Sequence, residues 1–415
     1  MSKLPEGWLF ESFDKIGIQV IDGDRGNNYP KQNEFEEEGF CLFLSAKNVT
    51  KRGFEFYEKQ FINEEKDSLL RKGKLTRGDL ILTTRGTVGN VAYYNELIKY
   101  NHLRINSGMV LLRTTENVDN LYLYKVMTSG FIQDKIKNIS FGSAQQQLTV
   151  KEIKKFKVPL PPLEEQKKIA DILSTVDQKI AFVEDKISQT QELKKGLMQK
   201  LLTQGIGHTE FKDSEIGRIP DSWGVVKLPE LADKITSGGT PSRKKPEYYE
   251  NGMINWLKTG ELKDCYIYES QEKITEEAVK NSSAKLFPTD TVLIAMYGAT
   301  IGQTAYLKVE STTNQACCAI IFNKNIADSL FYWKYFYFIK DLLIGKGIGA
   351  GQPNISQGII KDLSMPLPPI EEQKQIAEIL STVDQKLEVL KDKKGFFQEL
   401  KKGLMQKLLT GEVRV

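Results

Sequence analysis

The chain has 415 residues, 40% of them apolar and 27% charged, with a formal net charge of +4. These are ordinary globular values for two or three domains of ~150 residues each, and so mild a positive charge does not by itself specify nucleic acid as a partner. No apolar run approaches the ~18 residues of a membrane span: the most apolar window, 331–344, is interrupted by Lys334, Lys340 and Asp341. MSKLPEGW lacks an apolar stretch, so no secretory leader is expected.

The four cysteines have no Cys-x-x-Cys spacing, and His102 and His208 are the only histidines. Neither a zinc framework nor a histidine-based catalytic relay is expected, and the chain reads as reduced and cytoplasmic.

In chain order, residues 1–158 form a first mixed segment. DLILTTRG (79–86) and GMVLLRTT (108–115) read as strands, and NLYLYKVMTSGFIQDKI (120–136) as an amphipathic helix. Residues 159–205 form a long helix with apolar residues Ile169, Ile172, Leu173, Val176, Ile180, Val183, Ile187, Leu193, Leu197 and Leu201. Spacings near 3 and 4 make a stripe of coiled-coil type. Residues 206–365 form a second mixed segment. TVLIAMYG (291–298) and ACCAIIFN (316–323) read as strands, with Cys317 and Cys318 buried, and 328–344 reads as a helix whose aromatic residues belong to the core. Residues 366–415 form a second long helix, striped by Ile376, Ile379, Leu380, Val383, Leu387, Leu390, Phe397, Leu400, Leu404 and Leu408.

The two long helices repeat each other. Residues 159–203 and 366–410 align without a gap at 33 identical positions of 45. The mixed segments are also related, but faintly: LPEGW (4–8) echoes IPDSW (219–223), RGTVGNVAY (85–93) echoes YGATIGQTAY (297–306), and FGSAQQQLT (141–149) echoes IGAGQPNIS (348–356). Self-similarity on this scale sets the architecture. Pro161-Pro162 followed by Glu164-Glu165 marks a helix start, and Gly205 and Gly411 mark the stops. Gly196 and Gly403, inside the stripes, read as close packing or a slight bend. Each helix of about 40 residues is roughly 60 Å long, and if the stripes pair, the second runs antiparallel to the first. The expected fold class is α+β: two mixed α/β heads alternating with two long antiparallel coiled-coil helices under a pseudo-twofold, the heads held apart as in a dumbbell. Phe396-Phe397 beside Leu400 add apolar surface for a further helix.

The polar chemistry lies in loops rich in Arg, Lys, Asn, Gln and Gly at corresponding places in both heads. Arg suits guanine edges, Asn and Gln suit adenine edges, and Lys and backbone amides suit phosphate. The candidate DNA contacts are Arg25, Lys47, Asn48, Arg52, Arg85, Asn90, Gln145 and Gln146 in the first head. In the second they are Thr240, Ser242, Arg243, Lys244, Lys258, Tyr297, Thr300, Gln352 and Asn354. No catalytic residue and no metal ligand is assigned. GKGIGAGQ (345–352) has the wrong order for a phosphate loop, and the proline pairs lack the context of an amino-methylating site.

The duplicated PLPP(L/I)EEQ…ILSTVDQK…LKKGLMQKLLT segments, with ITSGGTPSRKKPEYY, INWLKTGEL and YGATIGQTAYL in the second head, resemble the specificity subunit of type I restriction–modification enzymes over essentially the whole chain. The first head departs, with IDGDRGNNYPK in place of SGGTP. The resemblance implies target recognition domains at 1–158 and 206–365, each reading one half of a bipartite, asymmetric double-stranded DNA target. It implies that the helices bind two methyltransferase subunits through Ile172, Val176, Ile180, Leu197, Leu201, Ile379, Val383, Leu387, Phe397, Leu404 and Leu408. Restriction/translocase subunits would join through them, in a host-defence system. S-adenosylmethionine, ATP and Mg would belong to the partners, and this chain would bind no cofactor, catalyse nothing and touch no membrane. Two other readings stay open on the residues alone: a scaffold whose heads bind proteins or glycans, and a self-sufficient nuclease or methylase, against which the missing motifs weigh.

Overall fold

A computed structural model describes residues 4–141, 147–347 and 354–415, with residues 140 and 141 by backbone alone. It divides into two units, Met1–Glu184 with Lys393–Val415, and Asp185–Asp392. Each unit holds one head and one stretch of both long helices, Leu163–Gln204 and Ile370–Leu409. Among the described residues no helix is long and apolar enough to cross a membrane.

The heads share a topology. In unit one, strand Met109–Arg113 lies between Gln19–Asp22 and Leu80–Thr83, and Val91–Tyr93 completes an antiparallel sheet. In unit two, Cys317–Phe322 lies between Ala232–Ser237 and Val292–Ala295 in the same order, followed by Thr304–Leu307 and an added parallel strand, Cys265–Ile267. A smaller sheet in each head contains one parallel pair: Cys41–Leu44 with Leu103–Ile105, and Ile254–Leu257 with Ser311–Thr313. The apolar runs read as strands are those central strands, buried because both faces are covered; Cys317 and Cys318 lie among them. Most of the aromatic run is core, with Phe331, Tyr332, Trp333, Tyr335 and Phe336 buried, while Tyr337 is exposed and Phe338 half-buried.

Each single helix expected in a head is instead two, Asn120–Met127 and Gly130–Phe141, and Ser329–Phe338 and Lys340–Gly345. In the first head the break has a local cause. The Thr128 and Ser129 hydroxyls donate to the Tyr124 and Val126 carbonyls beside their own amides, and the Ser129 amide bonds Val126 three residues back rather than four, so the ladder tightens and stops there.

The paired stretches of the long helices run antiparallel within each unit. In unit one Asp177 meets Lys401 at 2.6 Å and Glu184 meets Lys394 at 2.8 Å, so a step forward along one helix is a step back along the other. In unit two Lys194 meets Asp384 at 2.6 Å, while Leu201 and Leu202 share a core with Ile376 and Leu380. Asp384–Lys194 is the Asp177–Lys401 pair repeated by the duplication. A head lysine completes each cluster: Lys125 reaches Asp177 at 2.6 Å and Lys334 reaches Asp384 at 2.6 Å, with both lysine side chains 5% exposed. Gly205 and Gly411 end the helices at φ 65° and 75°, as their stop signals require. Close packing is not the reason for Gly196 and Gly403, since a Cβ at either would meet nothing within 4 Å.

Burial pushes both aspartates up, but in each the two lysines outweigh it and the net direction is down. A depressed carboxylate contributes stability above its unfolded value and loses it as pH falls through the folded one. Both units are therefore expected to weaken below about pH 4, seen as accelerated amide exchange along the helices. Asp177→Ala strands the buried Lys125 and is expected to destabilise unit one by about 3 kcal/mol, measured by denaturant titration; Asp384→Ala is expected to do the same in unit two.

Candidate nucleic-acid interface

A glutamate in the first turn of each long helix fixes the entry to its head. Glu165 accepts Trp8 Nε1 at 3.1 Å and the Arg414 guanidinium at 2.8 and 3.1 Å. Glu372 accepts Trp223 Nε1 at 3.0 Å and contacts His208 Nε2 at 2.8 Å. The next residue is a buried glutamine. Gln166 bonds Asn117, Asp119 and Pro161 of its head, as Gln373 bonds Ile326, Asp328 and Pro368 of the other. The heads thus sit on their helices through the same glutamate and glutamine positions, although Arg414 serves Glu165 where His208 serves Glu372.

Those loops gather around one turn in each head. In the first, Asn106 Oδ1 accepts the Gly108 amide at 2.8 Å, and in the second Asn314 Oδ1 accepts the Ala316 amide at 3.2 Å. The turn links the parallel strand of the small sheet to the central strand of the large one. The glycine-containing loop is pressed against it. A Cβ at Gly23 would collide with the Asn106 carbonyl, and one at Gly238 with that of Thr313.

Around the first turn, Arg25 reaches the Ser107 carbonyl at 3.3 Å and Asp22 at 3.1 Å, and the Arg85 amide bonds the Gly108 carbonyl at 3.2 Å with its side chain exposed. Asp24 pins the loop by accepting the Gly26 amide at 2.8 Å and the Arg71 amide at 2.7 Å. These bonds hold its carboxyl below the usual range against the opposing effect of burial. Lys47 is exposed and paired with Glu58 at 2.6 Å, and Arg52 is exposed.

Asn48 and Asn90 are framework. Buried Asn48 donates to the Glu55 and Glu58 carbonyls at 3.1 and 2.7 Å, and Asn90 donates to the Val49 carbonyl at 2.9 Å. The Asn48 amide is fully spent, its oxygen also accepting the Ser45 amide at 2.9 Å, so it is not available to an adenine edge as the sequence suggests, whereas half-buried Asn90 spends one amide hydrogen on Val49.

Around the second turn, Thr240 Oγ1 donates to Gln315 at 2.5 Å, the counterpart of Arg25 on Ser107. Ser242, Lys244, Tyr297 and Asn354 are exposed and Thr300 is half-buried. Arg243 and Lys258 both bind Glu272, Arg243 through both terminal nitrogens and Lys258 at 2.7 Å. The Arg243 hydrogen bonds, with Lys258 beside them, outweigh desolvation and bring the Glu272 carboxyl down to about 2. Gln145, Gln146 and Gln352 lie outside the described residues. The two asparagine turns and Glu272 escape the sequence reading; an Asn two residues before a Gly or Ala, between two apolar runs, is a local signal for the turns.

The helix residues assigned to partners mostly face inward. Val176, Leu201, Val383, Leu387 and Leu408 are buried within their units, Ile172, Ile180, Leu197, Phe397 and Leu404 are half-buried, and Ile379 is 38% exposed. Other apolar residues of the helices are as exposed as Ile379 or more so: Phe182, Phe396 and Leu400 in unit one and Leu193 and Val389 in unit two. Among the described residues, no group of three or more His, Cys, Asp or Glu side chains could hold a metal.

Comparison with known proteins places this architecture. The family model of the type I restriction modification DNA specificity domain matches residues 18–192 and again residues 220–395. The chain therefore belongs to the specificity subunits of type I restriction–modification systems, with two recognition domains in tandem. It is 29% identical over 422 residues to the putative type I restriction enzyme MjaX specificity subunit of Methanocaldococcus jannaschii, covering 100% of this chain and 96% of that one. The MjaVIII specificity subunit of the same organism is 29% identical over 430 residues, covering 100% and 94%. The fold is shared with a crystal structure of the type I S subunit from M. genitalium, at a TM-score of 0.60 and 15% identity over 99% of this chain and 97% of that one.

Gly238→Ala is expected to force the glycine loop off the Thr313 carbonyl at a cost of ~1–3 kcal/mol. The expected result is a lower melting temperature, with weaker amide protection at 313–316 and none lost in unit one.

Proposed function

We propose that each head reads one half of a bipartite, asymmetric double-stranded DNA target. The long helices dock two methyltransferase subunits, through which restriction/translocase subunits join. In this reading S-adenosylmethionine, ATP and Mg are used by the partners, the chain is non-catalytic and it works in the cytoplasm. The observation that carries the proposal is a pair of heads seated on their helices through the same glutamate, glutamine and aspartate positions but differing in the loops around a common turn. Two frames of one design with unlike rims suit two unlike half-sites. Base contacts supply the specificity and the paired helices fix the spacing.

Three experiments test this. With its methyltransferase subunits present, replacing residues 206–365 by another head is expected to change one half of the methylated sequence, read by sequencing modified adenines; a change in both halves overturns the modular reading. Arg85→Ala is expected to weaken binding of the assembled complex to its target by ~1–3 kcal/mol at fixed salt. Glu at Phe396 or at Val389 is expected to reduce co-purification of a methyltransferase subunit without lowering the melting temperature, because both side chains are already 65% and 64% exposed.

A further inference from the structure

Arg243 is held in an unusual way for a surface arginine. Its guanidinium lies in a corner made by two aromatic rings, 4.2 Å from the Tyr249 centroid and 5.0 Å from that of Trp256. The rings meet edge to face at 82°. Both are tied to the loop that carries Arg243: Trp256 Nε1 donates to the Gly239 carbonyl at 3.0 Å and Tyr249 Oη to the Pro241 carbonyl at 2.6 Å. Glu272 then takes the end of the fork, accepting one hydrogen from each terminal nitrogen. A guanidinium has five N–H donors, and an end-on carboxylate uses two of them. The lateral edge, Nε–H with the second hydrogen of one terminal nitrogen, is left unspent, and the side chain is 51% exposed. That edge has the two parallel donors that match O6 and N7 of guanine.

The first head shows that this is not part of the common frame. Phe43 stands where Trp256 does, since each amide bonds the carbonyl of the residue at the Glu272 position: Gln60 for Phe43 at 2.8 Å and Glu272 for Trp256 at 3.0 Å. Tyr29 meets the Phe43 ring edge-on at 5.6 Å, as Tyr249 meets Trp256. The aromatic corner is therefore present in both heads, but in the first a neutral glutamine replaces the carboxylate. The turns, glutamates and glutamines that build the frame are kept in both.

We infer that Glu272 is a positioning residue for specificity: it holds Arg243 so that its free lateral edge reads a guanine in the half-site of the second head. This rests on the DNA-reading function proposed above. Lys258, which shares Glu272 Oε2 with one Arg243 nitrogen, is a compact charge suited to the neighbouring phosphate rather than to a base.

The test uses the full chain assembled with its methyltransferase subunits, and reads methylated adenines across genomic DNA. Arg243→Ala and Glu272→Gln are both expected to make the same G·C position degenerate, with selectivity there falling about ten- to hundredfold. That position lies in the half-site changed by swapping residues 206–365, and the other half-site stays intact. Combining the two substitutions adds no further loss, and Arg243→Lys does not restore selectivity. Lys258→Ala gives the contrast, a fall in binding uniform across sequences, with the salt slope reduced by at most about one. The inference is overturned if Glu272→Gln leaves the sequence unchanged, lowers methylation equally at all sites, or relaxes a position other than the one relaxed by Arg243→Ala. A wild-type complex that methylates without any bipartite preference would instead overturn the DNA-reading function itself.

Discussion

An aspartate shared between two lysines is the interaction on which the rest of each unit depends. Asp177 takes Lys125 from the head and Lys401 from the second long helix; Asp384 takes Lys334 and Lys194 in the same roles. One carboxylate thus joins three segments distant in sequence. Neither lysine of the head has water to fall back on, being nearly fully buried, so the arrangement is costly to break even though a buried ion pair contributes little net stability when intact. Its value is registration. An apolar stripe tolerates sliding by a turn, whereas a doubly bridged carboxylate accepts one register of helix on helix and one seat for the head.

The glutamate and glutamine that follow the PLPP turn extend that registration to the chain entry. Trp8 and Trp223 each give an indole N–H to the glutamate, and the Tyr122 and Tyr332 hydroxyls bond the Pro159 and Pro366 carbonyls at 2.9 and 2.8 Å. These are directional contacts in dry surroundings, where a missing partner leaves an unsatisfied group. With the seat fixed in this way, a head can change its loops without changing where those loops stand. Divergent heads on near-identical helices are the sequence record of that freedom.

The strands, the paired helices and their stop glycines were legible because each depends on local pattern: apolar runs for Leu80–Thr83 and Cys317–Phe322, spacing for the stripes, and a positive φ at Gly205 and Gly411. What stayed hidden depends on residues far apart. Trp8 and Glu165 are separated by 157 positions, and neither residue type announces the other. The candidate contacts were chosen by residue type in the right loops, but type alone does not separate Arg85, which points outward, from Asn48, whose amide is consumed by two carbonyls. The stripes likewise gave the apolar positions but not their depth, because the heads cover part of each stripe and leave Leu193, Ile379 and Leu400 exposed.

Pairing also bears on how the interface discriminates. Arg25 is engaged by Asp22, Lys47 by Glu58, and both Arg243 and Lys258 by Glu272. Cations neutralised in this way release fewer counterions from DNA than free ones, which lowers sequence-independent affinity and its salt dependence. A base edge gains differently, because it needs aligned donors rather than net charge, and a guanidinium already oriented by a carboxylate loses little freedom on meeting it. On the proposed reading of these residues, acidic partners on the rim would widen the ratio of specific to non-specific binding, the quantity that matters to a protein searching a genome, on a chain whose net charge is only +4.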